Sequence, residues 1–137
     1  WGTLNDKDHS IGCQCIKYVG VEHLAERRIS TLSDGECQKV MIAKAMAQET
    51  PIIILDEPTA FLDYPSKADT MQLIKNTTQK RANADTAYQT AALLSTHDMD
   101  MALRMADRLW VMTSDRRLVC GTLDEVKDIL KEERLMP

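Results

Sequence analysis

Two carboxylates directly follow a short aliphatic run near the middle of the chain. Ile52 to Leu55 are all aliphatic, Pro51 and Pro58 bound the segment, and Asp56 and Glu57 come immediately after the run. So short a run predicts a strand covered on both faces, as in the parallel sheets of α/β domains, where ligands bind beyond the carboxyl ends of strands. Two carboxylates there repel each other unless a cation relieves them, and phosphoryl-transfer sites use one to hold Mg²⁺ and one to orient water. A buried strand that merely ends in acidic loop residues is the alternative.

Three further groups of residues accompany the acidic pair in a particular order. Leu32 to Glu36 lies upstream, Phe61 to Asp63 follows the pair, and Ser95 to Asp98 follows a second aliphatic run. In this order the four segments resemble the signature loop, Walker B strand, D-loop and switch histidine of the ATP-binding-cassette (ABC) ATPases. The resemblance extends over nearly the whole chain, and several motifs in order are more specific than any one motif.

The resemblance implies a role for each of these side chains. Asp56 would hold Mg²⁺, Glu57 would act as the catalytic base, and His97 would bind the γ-phosphate of ATP and hold the attacking water in line. The signature would contact ATP held by a second nucleotide-binding domain, in a head-to-tail dimer whose interface the D-loop crosses. The cofactor-binding residues implied in this way are Ser33, Asp34, Gly35, Glu36 and Asp63.

The signature segment also has a local structural reading. Ser33 and Glu36 have the spacing of a helix capping box, and apolar residues from Val40 to Ala47 lie on nearly every side, which predicts a largely buried helix. A well-capped core helix is therefore the alternative to a phosphate-binding end. Asp34 stands where the family usually has glycine and Glu36 where it has glutamine, and we expect the Asp34 carboxylate to turn to solvent.

The remaining periodicity predicts an alternation of helices and strands. Asp63 is a candidate cap for the helix that follows Pro65. Trp110 is better explained by core packing than by stacking on adenine. The predicted elements up to Thr90 are an amphipathic helix from Asp6 towards Gly20, a short helix or turn at Val21 to Arg28, a helix from Pro65 to Lys80 and a loop at Arg81 to Thr90. The predicted elements after Thr90 are a strand at Ala91 to Ser95, a short helix at Met99 to Ala106, a hairpin of Arg108 to Thr113 with Arg117 to Cys120, and a helix that begins at the Thr122–Glu125 capping box.

These elements predict an α/β fold of the P-loop NTPase type, a parallel sheet flanked by helices. By resemblance the sequence looks like a partial nucleotide-binding domain over 1–137. Residues 1–50 would hold part of the helical subdomain and the signature helix. Residues 51–137 would hold the Walker B, D-loop, switch-histidine and carboxyl-terminal parts of the core.

Composition excludes several other classes. The net charge of −4 over 137 residues does not suggest a nucleic-acid surface. The longest aliphatic run, Ile52 to Leu55, is far too short for a membrane span. Free thiols explain the scattered Cys13, Cys15, Cys37 and Cys120 better than a zinc site does. We expect a cytoplasmic domain, held at the inner face of the membrane through transmembrane permease subunits, as the resemblance implies.

One motif of the resembling family is absent from the sequence. ATP binding in that family depends on a glycine-rich loop that ends in Gly-Lys-Ser or Gly-Lys-Thr, and none of the five glycines here precedes a lysine. We therefore expect weak intrinsic ATP affinity and no useful ATP hydrolysis by this chain alone. The sheet would lack the strand that carries this loop, which would leave apolar surface and a strand edge exposed.

The function implied is ATP hydrolysis that powers an ABC transporter. The run from Asp56 to Lys67, with His97-Asp98 and Met101-Ala102, looks most like importer subunits for iron-siderophore, haem or cobalamin uptake. Two alternatives remain. One is an ABC ATPase of DNA repair or translation, although no heptad repeat is present. The other is a truncated or degenerate, non-enzymatic binding module.

Overall fold

The computed structural model describes residues 5–82 and 90–136. They form two compact units, one ending at Ser95 and the other beginning at Thr96. The first contains α1 (Asp6–Tyr18), α2 (Asp34–Ala47), β1 (Ile52–Asp56), α3 (Tyr64–Ala82) and β2 (Ala91–Ser95), with short 3-10 helices at Glu22–Leu24 and Ile29–Thr31. The second contains α4 (Met99–Met105), β3 (Leu109–Met112), β4 (Leu118–Gly121) and α5 (Leu123–Glu132). Most of the loop predicted at Arg81 to Thr90 lies outside the described residues.

The first unit is built on a parallel pair of strands. β1 and β2 run in register from Ile52 opposite Ala91 to Asp56 opposite Ser95, which confirms the parallel sheet. The prediction that β1 is covered on both faces is wrong, because Ile53 is buried whereas Ile52 and Ile54 are 56% and 74% exposed. Successive strand residues point to opposite faces, so only the face with Ile53 packs against protein. The predicted exposed apolar surface is present.

Helices α1 and α2 of the first unit pack against each other, and both begin with a capping box. Ser33 and Glu36 form the predicted box at the start of α2, and Asn5 and Asp8 form another at the start of α1. The prediction that α2 is largely buried is wrong. Its buried residues are Ile42, Ala43 and Met46, whereas Met41 is 45% exposed. The helix packs along one stripe against α1 and α3, so Met41, outside that stripe, faces solvent, whereas Val40 and Ala45 are half-buried.

Helix α3 follows the acidic loop and covers part of the first unit's core. It begins at Tyr64 and buries Met71 and Ile74, as predicted. It also buries Thr70 and Thr77, which the pattern of apolar residues does not reveal. The Thr77 hydroxyl donates to the Leu73 carbonyl oxygen at 2.8 Å, so a polar side chain on the buried face keeps a hydrogen-bond partner.

The second unit packs α5 against the hairpin formed by β3 and β4. The hairpin is antiparallel, as predicted, and the core of this unit contains Val111, Val126 and Leu130. The prediction that Trp110 packs in a core is wrong, since its side chain is 57% exposed. Trp110 alternates with Val111 along β3, and because Val111 faces α5, Trp110 points to the opposite face of the hairpin. Among the described residues no helix has the length and apolar character needed to cross a bilayer.

Two glycines make a matched test of this packing. A methyl group at Gly121 would lie 2.9 Å from Glu125 Cβ and 3.0 Å from Val126 Cγ1, whereas one at Gly12 in α1 would meet nothing within 4 Å. We expect Gly121→Ala to lower the free energy of unfolding by about 1–3 kcal/mol through overpacking. Gly12→Ala should raise it by roughly 0.5–1 kcal/mol through helix propensity. Urea unfolding followed by far-ultraviolet circular dichroism measures both, and equal effects of the same sign would contradict this account.

Candidate functional site

The ends of the two parallel strands bring three polar groups together. Asp56 and Ser95 are the last residues of β1 and β2 and lie opposite each other in the register. The Ser95 hydroxyl donates to Asp56 Oδ1 at 2.5 Å, and the Glu57 amide donates to Ser95 Oγ at 3.1 Å. An O–H···O⁻ distance of this size is typical of a charge-assisted hydrogen bond. The predicted acidic pair therefore lies at the carboxyl edge of the sheet, joined there to β2.

Glu57 adopts a conformation that most residues avoid. Its φ is 45°, in the left-handed region, where a residue with a Cβ is strained by on the order of 1–3 kcal/mol. Side-chain atom Oε2 is buried, and the following Pro58 and Thr59 are also buried. The turn is closed by a hydrogen bond from the Ala60 amide to the Glu57 carbonyl oxygen at 3.0 Å. The strained residue is thus itself a member of the acidic pair, and the turn that follows β1 fixes its backbone.

The donor set at this edge fits a Mg²⁺ ion that also binds phosphate. Asp56 is exposed, and a carboxylate accepts about four hydrogen bonds or metal contacts, so the bond from Ser95 leaves acceptor capacity. Within residues 5–82 and 90–136 no group of three or more His, Cys, Asp or Glu side chains is placed to hold a metal. Mg²⁺ in phosphoryl-transfer sites needs only one or two carboxylates, because water and substrate phosphates complete its coordination.

The predicted D-loop leads directly into α3. Asp63 caps this helix, because its Oδ1 accepts from the Ser66 amide at 3.1 Å and its carbonyl oxygen from the Lys67 amide at 2.9 Å. Hydrogen bonds from the Ser66 hydroxyl and amide hold the pKa of Asp63 below its ordinary value of 3.8. Phe61, with φ 63°, leaves 94% of its side chain in solvent. The capping role is confirmed, and the role at a dimer interface stays a prediction.

The signature residues form the beginning of α2. The Ser33 amide and hydroxyl both donate to Glu36 Oε2, at 2.8 and 2.9 Å, and these bonds lower the pKa of Glu36. Asp34 is exposed, as expected. A methyl group at Gly35 would lie 3.9 Å from Ser66 Oγ, so the start of α2 lies beside the start of α3. A carboxylate already accepts hydrogen bonds at each of these amino termini, Glu36 at the start of α2 and Asp63 at the start of α3.

The predicted switch histidine belongs to the second unit. His97 is exposed, and its carbonyl oxygen accepts from the Met99 amide at 3.1 Å. Asp98 caps α4 through Oδ1, which accepts from the Met101 amide at 3.3 Å. The Asp98 amide in turn donates to Thr96 Oγ1 at 3.0 Å. These bonds hold the backbone on both sides of His97, whose contact with a γ-phosphate stays a prediction.

Ser95 is the one member of this edge that sequence reasoning did not single out for a role. It ends a strand that is otherwise aliphatic, with the sequence AALLS. The sequence did contain one signal for it, which was a polar residue at the carboxyl end of a strand. That strand was predicted to lie parallel to the Asp56 strand. Only the register shows that it faces Asp56 itself.

Comparison with known proteins identifies the family of this site. Residues 7–60 match the family described as ABC transporter. An ABC transporter ATP-binding protein of Methanocaldococcus jannaschii, itself uncharacterized, is 33% identical over 134 residues, which are 96% of this chain and 44% of that protein. The chain belongs to the ABC transporter family.

Other relatives within the family carry different substrate names. A hemin import ATP-binding protein of Gloeobacter violaceus is 35% identical over 91% of this chain and 45% of its own length. A probable amino-acid import ATP-binding protein of Bacillus subtilis is 35% identical over 94% of this chain and 49% of its own length. The chain thus spans about half the length of the curated relatives that it matches.

A solved structure confirms the predicted fold class. One chain of an ABC transporter in an inward-facing conformation superimposes on this ABC family member with a TM-score of 0.82 at 23% identity. The match covers 100% of this chain and 52% of that one. At this identity the likeness shows the fold, which is α/β with a parallel sheet and flanking helices.

The cap at Asp63 predicts a pH dependence. Because the pKa of Asp63 is lowered in the folded state, its contribution to stability is present above pH 3.8 and is lost as the pH falls through the folded pKa. Asn caps helices as well as Asp does, so Asp63→Asn should keep the cap and remove its acid titration. The NMR shift of the Ser66 amide between pH 2 and 6 (about the range where carboxylates titrate) measures this. Asp69→Asn, also in α3, is the matched control, and an unchanged titration in Asp63→Asn would contradict the assignment.

Proposed function

We propose that this chain supplies the Walker B, D-loop, signature and switch-histidine parts of an ATPase that binds MgATP and couples its hydrolysis to transport. The observation that carries the proposal is the position of Asp56 and Glu57 at the carboxyl edge of the parallel strands. Ligands of α/β sheets bind at that edge, and phosphoryl transfer needs a metal-holding carboxylate and a base there. Membership of the ABC transporter family supports the same chemistry.

Each side chain has a distinct part in the proposed reaction. Asp56 holds Mg²⁺, which when bound neutralises charge on the β- and γ-phosphates. Glu57 orients the attacking water and accepts its proton, and its fixed backbone limits the directions in which the carboxylate points. His97 donates a hydrogen bond to the γ-phosphate. The start of α2, with Ser33 and Gly35, faces the γ-phosphate of ATP held by a second nucleotide-binding domain.

The partners follow from this arrangement. A signature that faces ATP on another domain requires a head-to-tail dimer, with Asp63 at its interface. Coupling to transport requires transmembrane permease subunits, which place the domain at the cytoplasmic face of the membrane. The acidic net charge of −4 gives no support to a nucleic-acid partner.

We propose an iron-siderophore, haem or cobalamin importer as the transport system. The segment from Asp56 to Lys67 supports this group, as does the hemin import relative. The amino-acid import relative is equally identical, so an amino-acid importer is the second candidate. The permease and substrate-binding partners determine which substrate is transported. Identifying the permease subunit that co-purifies with this chain in a pull-down therefore distinguishes the two candidate transport systems.

Fragment complementation tests the ATPase proposal. We expect the chain alone to show no useful ATP turnover, and a mixture with the amino-terminal half of the hemin import relative, chosen to carry a Gly-Lys-Ser or Gly-Lys-Thr loop, to hydrolyse MgATP. Glu57→Gln in the mixture should lower turnover by about 10²–10⁴-fold, because general-base catalysis contributes a factor of that size. Nucleotide binding should persist in this variant, since Gln keeps the shape of the side chain.

The other outcomes of that experiment are also informative. Turnover by the pure chain that Glu57→Gln abolishes would refute the expectation of inactivity alone. If neither the chain nor the mixture binds nucleotide, the ATPase proposal fails and the non-enzymatic binding module becomes the better account. Glu49→Gln, an exposed acid with no proposed part in catalysis, controls for the change of charge.

A substitution at Gly35 distinguishes a role of this residue in contacting a ligand from a role in packing within the chain. A methyl group there would make only an ordinary contact, at 3.9 Å from Ser66 Oγ, so Gly35→Ala should not lower the melting temperature. If the start of α2 meets a phosphate of a second domain, the same methyl group should weaken ATP-dependent dimer formation in the complemented mixture. Analytical ultracentrifugation with Glu57→Gln, which prolongs the ATP-bound state, measures the dimer. Gly12→Ala is the control, and equal dimerisation of both variants would contradict the role.

A further inference from the structure

The hydroxyl of Ser95 contacts both members of the acidic pair at once. It donates to Asp56 Oδ1 at 2.5 Å and accepts from the Glu57 amide at 3.1 Å. We propose that Ser95 is a positioning residue, which holds the Asp56 carboxylate in the orientation that receives a divalent cation and holds the Glu57 backbone in its left-handed conformation. This inference rests on the proposed function for its account of Asp56, whereas its account of Glu57 rests on geometry alone.

The contact with Asp56 restrains a side chain that is otherwise open to solvent. Asp56 and Ser95 are both exposed, and they face each other across neighbouring strands, about 4.8 Å apart in a sheet. A serine side chain is short, so its hydroxyl reaches the carboxylate only from this opposite position. Ligating carboxylates are generally oriented by such partners, whose loss weakens metal binding.

The contact with Glu57 supports a strained backbone. The φ of 45° at Glu57 costs free energy that surrounding interactions must offset. Its amide donates to the same oxygen that restrains Asp56, so one hydroxyl fixes two consecutive residues. The direction in which the Glu57 side chain leaves the backbone is set by this conformation. Ser95 thus acts on the proposed base through the backbone and touches no reacting atom.

The strand itself gives no reason for a serine at this position. The preceding residues of β2, Ala91 to Leu94, are all apolar. Serine is not a residue that strands favour, whereas valine and threonine both suit the pleated backbone. Valine and threonine also share one shape, and they differ in that threonine carries a hydroxyl where valine carries a methyl group. Ser95→Thr and Ser95→Val therefore separate the hydroxyl from the packing.

The first measurement is made on the Glu57 amide of the whole chain, without metal or nucleotide. We expect Ser95→Thr to keep the hydrogen-exchange protection and NMR shift of this amide, and Ser95→Val to lose both. Ser10→Ala, which removes an exposed hydroxyl from α1, is the control for serine loss. Unchanged protection in Ser95→Val would overturn the proposal, as would equal loss in Ser95→Thr and Ser95→Val.

The second measurement follows Mn²⁺ binding by electron paramagnetic resonance in the complemented mixture, made with Glu57→Gln and ATP, because substrate phosphates complete the coordination of such an ion. Ser95→Val should weaken Mn²⁺ binding about 10–100-fold, as expected for loss of an outer-shell partner, and Ser95→Thr should restore it. Tighter binding in Ser95→Val would overturn the proposal, because the hydroxyl would then compete with the metal. If Asp56→Asn leaves Mn²⁺ binding unchanged, the proposed metal role of Asp56 fails. The hydrogen-exchange protection and NMR shift of the Glu57 amide then decide whether Ser95 positions the Glu57 backbone.

Discussion

The parallel pairing of β1 with β2 is the constraint on which the first unit's candidate site depends. The register that starts with Ile52 opposite Ala91 ends with Asp56 opposite Ser95, so both strands deliver their last residue to the same edge. A shift of one residue would turn Ser95 to the other face and separate it from the carboxylate. The backbone strain at Glu57 is tolerated beside this edge because its amide is tied across to β2.

Carboxylates in this acidic chain also act as structural groups. Glu36 and Asp63 accept hydrogen bonds at the starts of α2 and α3, and Glu125 does the same at the start of α5. Each carboxylate lies where the helix dipole favours negative charge, and its hydrogen bonds lower its pKa. Glu36 and Asp63 are thus both caps and candidate ligand contacts. A substitution at either changes helix stability together with any binding role.

Exposed apolar surface occurs in both units. Ile52 and Ile54 present one face of β1 to solvent, and Trp110, Met112 and Leu118 present the outer face of the hairpin. The relatives that this chain matches are about twice its length. Patches of this kind favour association with other protein surfaces, and they make the chain more prone to aggregation than a fully covered domain.

The sequence by itself determined the kinds of elements and much of their order, because these depend on local chemistry. Capping spacing predicted the starts of α2 and α5, and two strand-like runs joined by a short connection predicted the hairpin. The aliphatic runs before Asp56 and after Thr90 predicted the parallel strands. Tertiary structure alone decided which apolar side chains are covered, so the predictions for β1, α2 and Trp110 were wrong. It also decided that Ser95 faces Asp56, since residues so far apart in sequence meet only through strand register, which no local pattern specifies.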